Sequence, residues 1–440
     1  MYIVTAGYND GVIAKIELWF DFSCPYAYLA SRRAHTLGME IDWRPMLLGG
    51  VFRGIGAGDG PMATLSAAKA RHNVADMYRW AEVFDAPFQV PAAHPMRTVR
   101  ALRTLLALPH ATWPEAIPAI FAAYWQRAED VTSAPVIAAA LAGAGIDPET
   151  IATAQAAADG DPIKDALRAR TDEAIALGIF GAPAWIVRRD GHSPILVWGQ
   201  DRFAWLEAIR DGWDPEINPP PVGSRSLPPS PAHAGARAEL YFDVSSPFAY
   251  LALTQLDALI AATGVTPTLQ PILLGALFKE LGTTNVPLFT FPPPKLRYVG
   301  LEMARWARWW GVPLAMPSKF PQRTVTAQRL CILAAAEGFA VGVEVATALG
   351  RAMWAEDRDL EDPATLVAIV DACGQPGAAW VARCADADIK QALVATTAAA
   401  RAANVFGVPT VVVDGATLIW GQDRLDLVVR ALAGWKPVHG

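Results

Sequence analysis

Histidine is scarce and unevenly spread in this chain of 440 residues. It occurs at His35, His72, His94, His110, His192, His233 and His439, so none falls between Arg237 and Val438. A serine nucleophile in that second half would lack the imidazole base of a Ser-His-Asp triad. Cysteine is also sparse. Cys24, Cys331, Cys373 and Cys384 form no CxxC pair and no zinc-like spacing. That excludes a dithiol centre, argues against a disulfide scaffold or a metal site, and predicts a reducing, cytoplasmic setting. No apolar run reaches the ~18 residues of a membrane-spanning helix. The first fifteen residues carry Asp10 and no basic stretch before an apolar core, so no secretory leader is expected. A basic excess is missing too: 37 Lys and Arg stand against 43 Asp and Glu, a net charge of −6. Nucleic-acid surfaces need the opposite balance. Neither nucleic acid nor membrane is expected as a partner, and a small acidic or neutral substrate is compatible with this balance. With 53% hydrophobic and 18% charged residues, the chain has ample apolar surface for packed cores.

What the sequence does have is one pattern written twice. Phe20 to Ser31 (FDFSCPYAYLAS) aligns with Phe242 to Leu253 (FDVSSPFAYLAL), 8 of 12 positions being identical. Pro91 to Val99 (PAAHPMRTV) recurs as Pro317 to Val325 (PSKFPQRTV), and Phe180 to Pro183 (FGAP) as Phe406 to Pro409 (FGVP). Trp198 to Arg202 (WGQDR) returns unchanged as Trp420 to Arg424. The motifs keep their order, which identifies a tandem duplication. Between the copies, Asp214 to Arg237 is rich in proline and reads as an exposed, semi-rigid linker. The expected domains are 1–213 and 237–440, joined by 214–236.

Each copy changes its hydrophobic period in the same order. Short β-rich runs at Ile16–Phe20 and Ala238–Phe242 precede Pro25 and Pro247, which suit the first turn of a helix because proline lacks only an N–H that would be unbonded there. Helices are expected over Tyr26–Leu37 and Phe248–Thr263, and second strands over Ile41–Pro45 and Thr266–Pro271. A long alanine-rich helical section follows. Strand pairs come next, at Ala184–Val187 with Ile195–Trp198 and at Thr410–Val413 with Thr417–Trp420. Final helices cover Arg202–Arg210 and Arg424–Leu432. The expectation is an α/β fold of two tandem domains, each a mixed four-stranded sheet interrupted by an all-helical insertion.

The turn from first strand to first helix is where chemistry is expected. A side chain there, Cys24 or Ser246, faces unbonded N–H groups and the positive helix end, an environment that favours a thiolate. Cys24 is therefore expected to be the most reactive of the four thiols. Ala27 stands three residues on, so it has no resolving partner. Ser246 has Ala249 in that place and no sulfur nearby in sequence. It reads either as a hydrogen-bond donor to a thiolate supplied by a ligand or as a plain N-cap. The glycine-rich stretch from Gly49 to Gly60 lacks the ending of a phosphate loop and reads as a flexible loop at the site's edge. Trp80, Trp125, Trp306 and Trp354 read as core.

The ordered set DxxSPxxYL, FGxP and WGxDR resembles the 2-hydroxychromene-2-carboxylate isomerases and kappa-class glutathione transferases. More distantly it is similar to the bacterial disulfide-bond oxidoreductases, which share a thioredoxin-like fold with a helical insertion. The resemblance covers each copy nearly end to end. It implies a glutathione cofactor whose thiolate is held by Ser246 and whose cysteinyl backbone pairs with Val408 before a cis Pro409. It also implies Asp423 and Gln422 at the γ-glutamyl group, and Asn285 and Lys295 from the loop after the second strand. In copy one, Lys69, Ala182, Pro183, Gln200 and Asp201 keep the corresponding places. Copy one departs at Cys24 and at Asp59, where copy two has Ser246 and Asn285. The implied activity is isomerisation or transfer on a conjugated electrophile from aromatic catabolism. A monothiol exchange enzyme using Cys24 and a non-catalytic binding protein are the competing readings. Single-length members are commonly homodimers, so the resemblance also implies an intramolecular pseudo-dimer within a monomeric chain, held closed by tethering.

Overall fold

A computed structural model describes residues 13–58, 60, 65–221, 226–284 and 286–438; Asp59 and Asn285 lie outside the described residues. By their internal contacts the residues fall into two compact units. The first holds copy one without Leu65–His72, together with Phe291–Arg297. The second holds the chain from Asp214 without Phe291–Arg297, together with Leu65–His72.

In the first unit, strands β1 (Ile13–Phe20), β2 (Ile41–Pro45), β3 (Ala184–Arg189) and β4 (Ile195–Trp198) form a sheet in the order β2-β1-β3-β4. The β1–β2 pair is parallel, from Ile16 opposite Ile41 to Phe20 opposite Pro45, whereas β3 runs antiparallel to both β1 and β4. β1 is central because Ile16, Leu18, Trp19 and Phe20 are apolar on both faces, and all four are fully buried. Glu17 is buried in that strand too. Burial alone would raise its pKa, but hydrogen bonds from Arg188 Nε (2.6 Å) and Trp19 Nε1 (2.9 Å), with the charge of Arg44, hold it below the usual carboxylate value.

The second unit repeats this plan with β5 (Ala238–Phe242), β6 (Thr268–Pro271), β7 (Thr410–Val413) and β8 (Thr417–Trp420), ordered β6-β5-β7-β8. In each copy seven α-helices among the described residues lie between the second and third strands. Their starts are written locally. Asp147 and Asp362 each cap a helix whose first residue is proline, accepting from the N–H of Thr150 and of Ala364 and Thr365 respectively. Among the described residues no helix is long and apolar enough to cross a membrane.

Three expectations change in detail. The first helix of copy one ends at Arg33 and continues as a 3₁₀ turn, Ala34–Leu37, stopped by Gly38 at φ 63°. Its counterpart divides into Pro247–Leu253 and Leu256–Thr263, where Thr254 Oγ1 turns back onto the carbonyl of Leu251 at 2.6 Å. The glycine-rich stretch opens with a helix, Leu48–Gly54, rather than a loop. The proline-rich segment is also more than a spacer, because it is fastened to the second unit. Arg305 Nε and Arg308 Nη1 hold Glu216 (3.0 Å) and the Pro215 carbonyl (2.9 Å), while the N–H groups of Ser230, Ala232 and His233 reach Ala262, Thr263 and Leu432.

Candidate functional site

The site is built on the turn that leaves the central strand. In the second unit Ser246 N–H closes the turn onto the Asp243 carbonyl at 3.0 Å. The Asp243 carboxylate, itself buried, accepts from Ser245 N–H (2.9 Å), Thr324 Oγ1 (3.0 Å) and Leu274 N–H (2.8 Å). It thereby ties the turn to two insertion helices. Burial pushes its pKa up and these bonds pull it down, with burial the larger effect. Trp354 Nε1 donates to the Val244 carbonyl at 2.8 Å, and Gln328 bonds the backbone of Phe242, Val244 and Ile272. The first unit has the same frame. Asp21 accepts from Ser23, Thr98 and Leu48, and Trp125 Nε1 donates to Phe22 at 2.8 Å. Trp125 and Trp354 are core residues as expected, and they also fix the turn.

Ser246 ends this frame as the N-cap of Pro247–Leu253. Its Oγ accepts from Ala249 N–H at 3.3 Å and donates to the Val408 carbonyl at 3.4 Å. It is a cap, and its hydroxyl also reaches the strand-side loop. Cys24 takes the matching place, its Sγ donating to the Ala182 carbonyl at 3.1 Å. The thiol does not have the acidity expected of it. It is only 6% exposed, and burial pushes its pKa up to about 12 against the pull of the Ala27 and Tyr26 N–H groups, with the Asp21 carboxylate adding to the rise. Desolvation outweighs the helix end here. Burial also raises Cys331 and brings Cys384 to about 11, and Cys373 is the least buried of the four.

The remaining motifs meet opposite this turn. The bonds Ala182–Pro183 and Val408–Pro409 are cis, as the resemblance implies, and so are His94–Pro95 and Phe320–Pro321, which the sequence reading missed. Gly199 and Gly421 each donate a backbone N–H to the proline carbonyl, Pro183 at 3.1 Å and Pro409 at 3.0 Å. Gly421 has φ 116°, and a Cβ there would lie 2.4 Å from Asp423 Oδ1. A Cβ on Gly407 would lie 2.9 Å from Trp420 Nε1. The FGxP glycine thus leaves room for the tryptophan of WGxDR, whereas the WGxDR glycine leaves room for its own motif's aspartate. Trp420 Nε1 is buried with no hydrogen-bond partner among the described residues.

The other expected site residues divide. Asp423 pairs with Arg424 at 2.8 Å and Asp201 with Arg202 at 2.7 Å. Gln200 and Gln422 are buried, and Gln422 Oε1 accepts from Trp310 Nε1, so that oxygen is already engaged. Lys69 and Lys295 change places. Lys69 belongs by its contacts with the second unit, its ammonium 5.0 Å from the Trp420 ring centroid, and Lys295 belongs with the first. The spacing within each copy carried no sign of this exchange.

Comparison with known proteins agrees with the repeated frame. The DSBA-like thioredoxin domain matches residues 15–209 and again 238–433. Glutathione S-transferase kappa 1 of Rattus norvegicus is 26% identical over 205 residues, 44% of this chain and 89% of that protein. A 2-hydroxychromene-2-carboxylate isomerase of Pseudomonas putida is 29% identical over 196 residues, 44% of this chain and 93% of that protein. A solved structure of a 2-hydroxychromene-2-carboxylate isomerase is 24% identical with a TM-score of 0.41, covering 44% of this chain and 93% of its own. The chain belongs to the DSBA-like thioredoxin domain family, whose domain it carries twice.

Proposed function

We propose that the chain is a glutathione-dependent isomerase or transferase acting on a small conjugated electrophile of aromatic origin, with its chemistry at Ser246. One observation carries the reading. Ser246 offers a buried hydroxyl between the Ala249 N–H and the carbonyl that precedes cis Pro409. A thiol enzyme would have its sulfur at this position, and this turn has none, so thiol chemistry here would use a sulfur brought by a ligand. The kappa-class transferase and the isomerase among the relatives support glutathione as that ligand.

The residues present fit such a group. The Ser246 O–H spans a long 3.4 Å to a neutral carbonyl, so a stronger acceptor can claim its proton. The Trp420 indole N–H is buried without a partner, and the Lys69 ammonium forms no ion pair among the described residues. When bound, glutathione supplies a thiolate able to add to a conjugated bond and leave again. The chain's part is to hold that thiolate through Ser246, to align the ligand along Val408 and to accept its amino group at Asp423. Asp243 acts through the turn as a positioning residue.

The Cys24 exchange reading requires a thiolate, and the burial that pushes that thiol's pKa up to about 12 weighs against it. Assay of the full chain with glutathione and 2-hydroxychromene-2-carboxylate or 1-chloro-2,4-dinitrobenzene tests the proposal. Glutathione-dependent turnover that falls about tenfold or more in Ser246→Ala supports it. Turnover unchanged by that substitution, or a stable glutathione adduct at Cys24 without turnover, overturns it.

A further inference from the structure

The first unit holds a cavity of about 250 Å³ away from the Cys24 turn. Tyr28, Ser31, Arg32 and His35 line it from helix Pro25–Arg33 and its 3₁₀ continuation, at the spacing that puts residues on one helix face. Arg32 lies well past Cys24, roughly 12 Å along the helix axis. The facing wall is helix Trp113–Trp125 and the residue after it, through Pro118, Phe121 and Gln126. The Tyr28 and Phe121 rings, 5.9 Å apart between centroids, form an apolar floor with Pro118. The polar groups nearest that floor are engaged. Tyr28 Oη donates to the Pro87 carbonyl and accepts from Gln126 Nε2 at 3.0 Å, and Ser31 Oγ donates to the Tyr28 carbonyl at 2.6 Å. The Arg32 guanidinium and the His35 ring differ: both residues are exposed, and among the described residues neither side chain has a hydrogen bond or an ion pair. Among those residues no carboxylate lines the cavity. Glu115 and Glu129 stand in the open cleft that adjoins it, where Arg127 pairs with Glu129 at 3.0 Å. An apolar floor, an unpaired guanidinium at the mouth and no acid in the lining favour an anion carried on an apolar body.

Copy two does not repeat these features. Tyr250 matches Tyr28, but Leu253, Thr254 and Asp257 follow in place of Ser31, Arg32 and His35. Trp125 and Trp354 bond equivalent turn carbonyls and so align the facing helices, which puts Thr347, Gly350 and Ala355 in the places of Pro118, Phe121 and Gln126. A Cβ on Gly350 would lie 2.8 Å from Tyr250 Cδ2, so there the helix backbone packs directly on the tyrosine. Copy one has a whole phenylalanine ring at that place, which requires a wider spacing of the two helices.

We propose that copy one binds a small organic acid in this cavity, its carboxylate paired with the Arg32 fork and its apolar body laid on Pro118 and Phe121. The second N–H of Gln126 Nε2 and the His35 ring are further donors at the rim. At about 250 Å³ the space falls just below the ~300–1,000 Å³ of drug-sized ligand sites, which limits the occupant to a small molecule. The inference is independent of the glutathione reading, and it gives copy one a binding role of its own whatever the state of Cys24.

Titration of the full-length chain with sodium benzoate, followed by calorimetry and by the histidine ring signals in NMR, provides the test. Saturable binding that shifts the His35 ring signal, assigned through its loss in His35→Gln, is expected. Arg32→Gln should weaken benzoate about tenfold or more, and Arg32→Lys should weaken it less, since the charge stays while the fork is lost. Arg32 is exposed, and thermal melts confirm that both variants are folded. Acetate lacks the apolar body and benzyl alcohol lacks the charge, so each should bind about tenfold or more weakly than benzoate. Benzoate binding that is absent, that is unchanged in Arg32→Gln, or that acetate matches in affinity overturns the inference. So does an affinity that falls in Ser246→Ala and holds in Arg32→Gln, which would put benzoate in the second unit. Glutathione-dependent turnover should be unchanged in Arg32→Gln, so the glutathione reading stands or falls separately.

Discussion

The buried thiol of Cys24 gives a prediction whose size can be worked from the structure. A pKa of about 12 leaves ~10⁻⁴ of the thiol ionised at pH 8, against roughly a quarter for an ordinary cysteine near 8.5. The thiolate population is therefore lower by roughly 10³-fold. A more basic thiolate is intrinsically a better nucleophile, and a Brønsted slope of about 0.4–0.5 returns roughly 25- to 55-fold over that pKa gap. Alkylation of Cys24 by iodoacetamide should then run roughly 50- to 100-fold slower than that of an unperturbed thiol, before any steric shielding. Its rate should keep rising about tenfold per pH unit through pH 9, because the group is far below its midpoint. Cys373, the least buried, should take label first. Sub-stoichiometric labelling with peptide mapping across pH reads both quantities. Label arriving first at Cys24, with a rate that levels off below pH 8, would show that the helix end outweighs desolvation and would refute the reasoning.

Further predictions concern the frame around the site. Ser246→Ala removes a charge-assisted hydrogen bond worth ~1.5–3 kcal/mol, so kcat/KM with glutathione should fall roughly 10- to 150-fold. Loss of the cap to Ala249 should cost ~0.5–2 kcal/mol of stability, which a thermal melt measures separately. Gly421→Ala should cost about 1–3 kcal/mol and weaken glutathione binding, because φ is 116° and the new Cβ would meet Asp423. Gly415→Ala, at φ 70° with nothing within 4 Å, should cost stability alone, and equal binding losses in the two variants would contradict this. His233 has its pKa raised, chiefly by its bond to Asp414, and the Asp414 carboxylate is held low by the Arg237 N–H and by His233. The contact is therefore fully present below the unfolded histidine value and is lost as pH rises through the raised folded one. At the acid end it is lost as pH falls through the lowered Asp414 value. Histidine ring shifts followed by NMR against pH should show a midpoint above 6.5 for His233 that drops in Asp414→Asn.

Much of this architecture was legible because local and global signals agreed. Ile41–Pro45 stands as a strand over the residues expected from the change of hydrophobic period along each copy. The two late strand pairs were legible for the same reason. Helix interruptions were harder: Thr254 breaks its helix through a side chain that competes for a backbone carbonyl, and the surrounding apolar period runs on regardless. The roles of Asp21 and Asp243 could not be read from spacing, because their partners Thr98 and Thr324 lie some eighty positions away in sequence. The need of Trp420 for the space at Gly407 was equally hidden, although both residues recur in both copies. Most opaque was Lys69. The period of helix Ala67–Val83 says which residues share a face, and nothing in it distinguishes first turns that meet one unit from later turns that meet the other. The run of Lys69, Arg71 and His72 at that helix start was the available hint. The misjudged acidity of Cys24 has a different cause: the turn was read correctly, and the burial that dominates it is a property of packing.

The claim that Ser246 activates a ligand's thiol is tested most directly by titrating the ultraviolet thiolate absorbance of glutathione bound to the full chain against pH. A hydrogen bond of ~1.5–3 kcal/mol to the thiolate corresponds to a pKa about 1–2 units below that of free glutathione. The account predicts that depression in the unsubstituted chain and its loss in Ser246→Ala, with glutathione still bound. A bound thiol that titrates as it does in free solution, or a depression that survives the substitution, would contradict it.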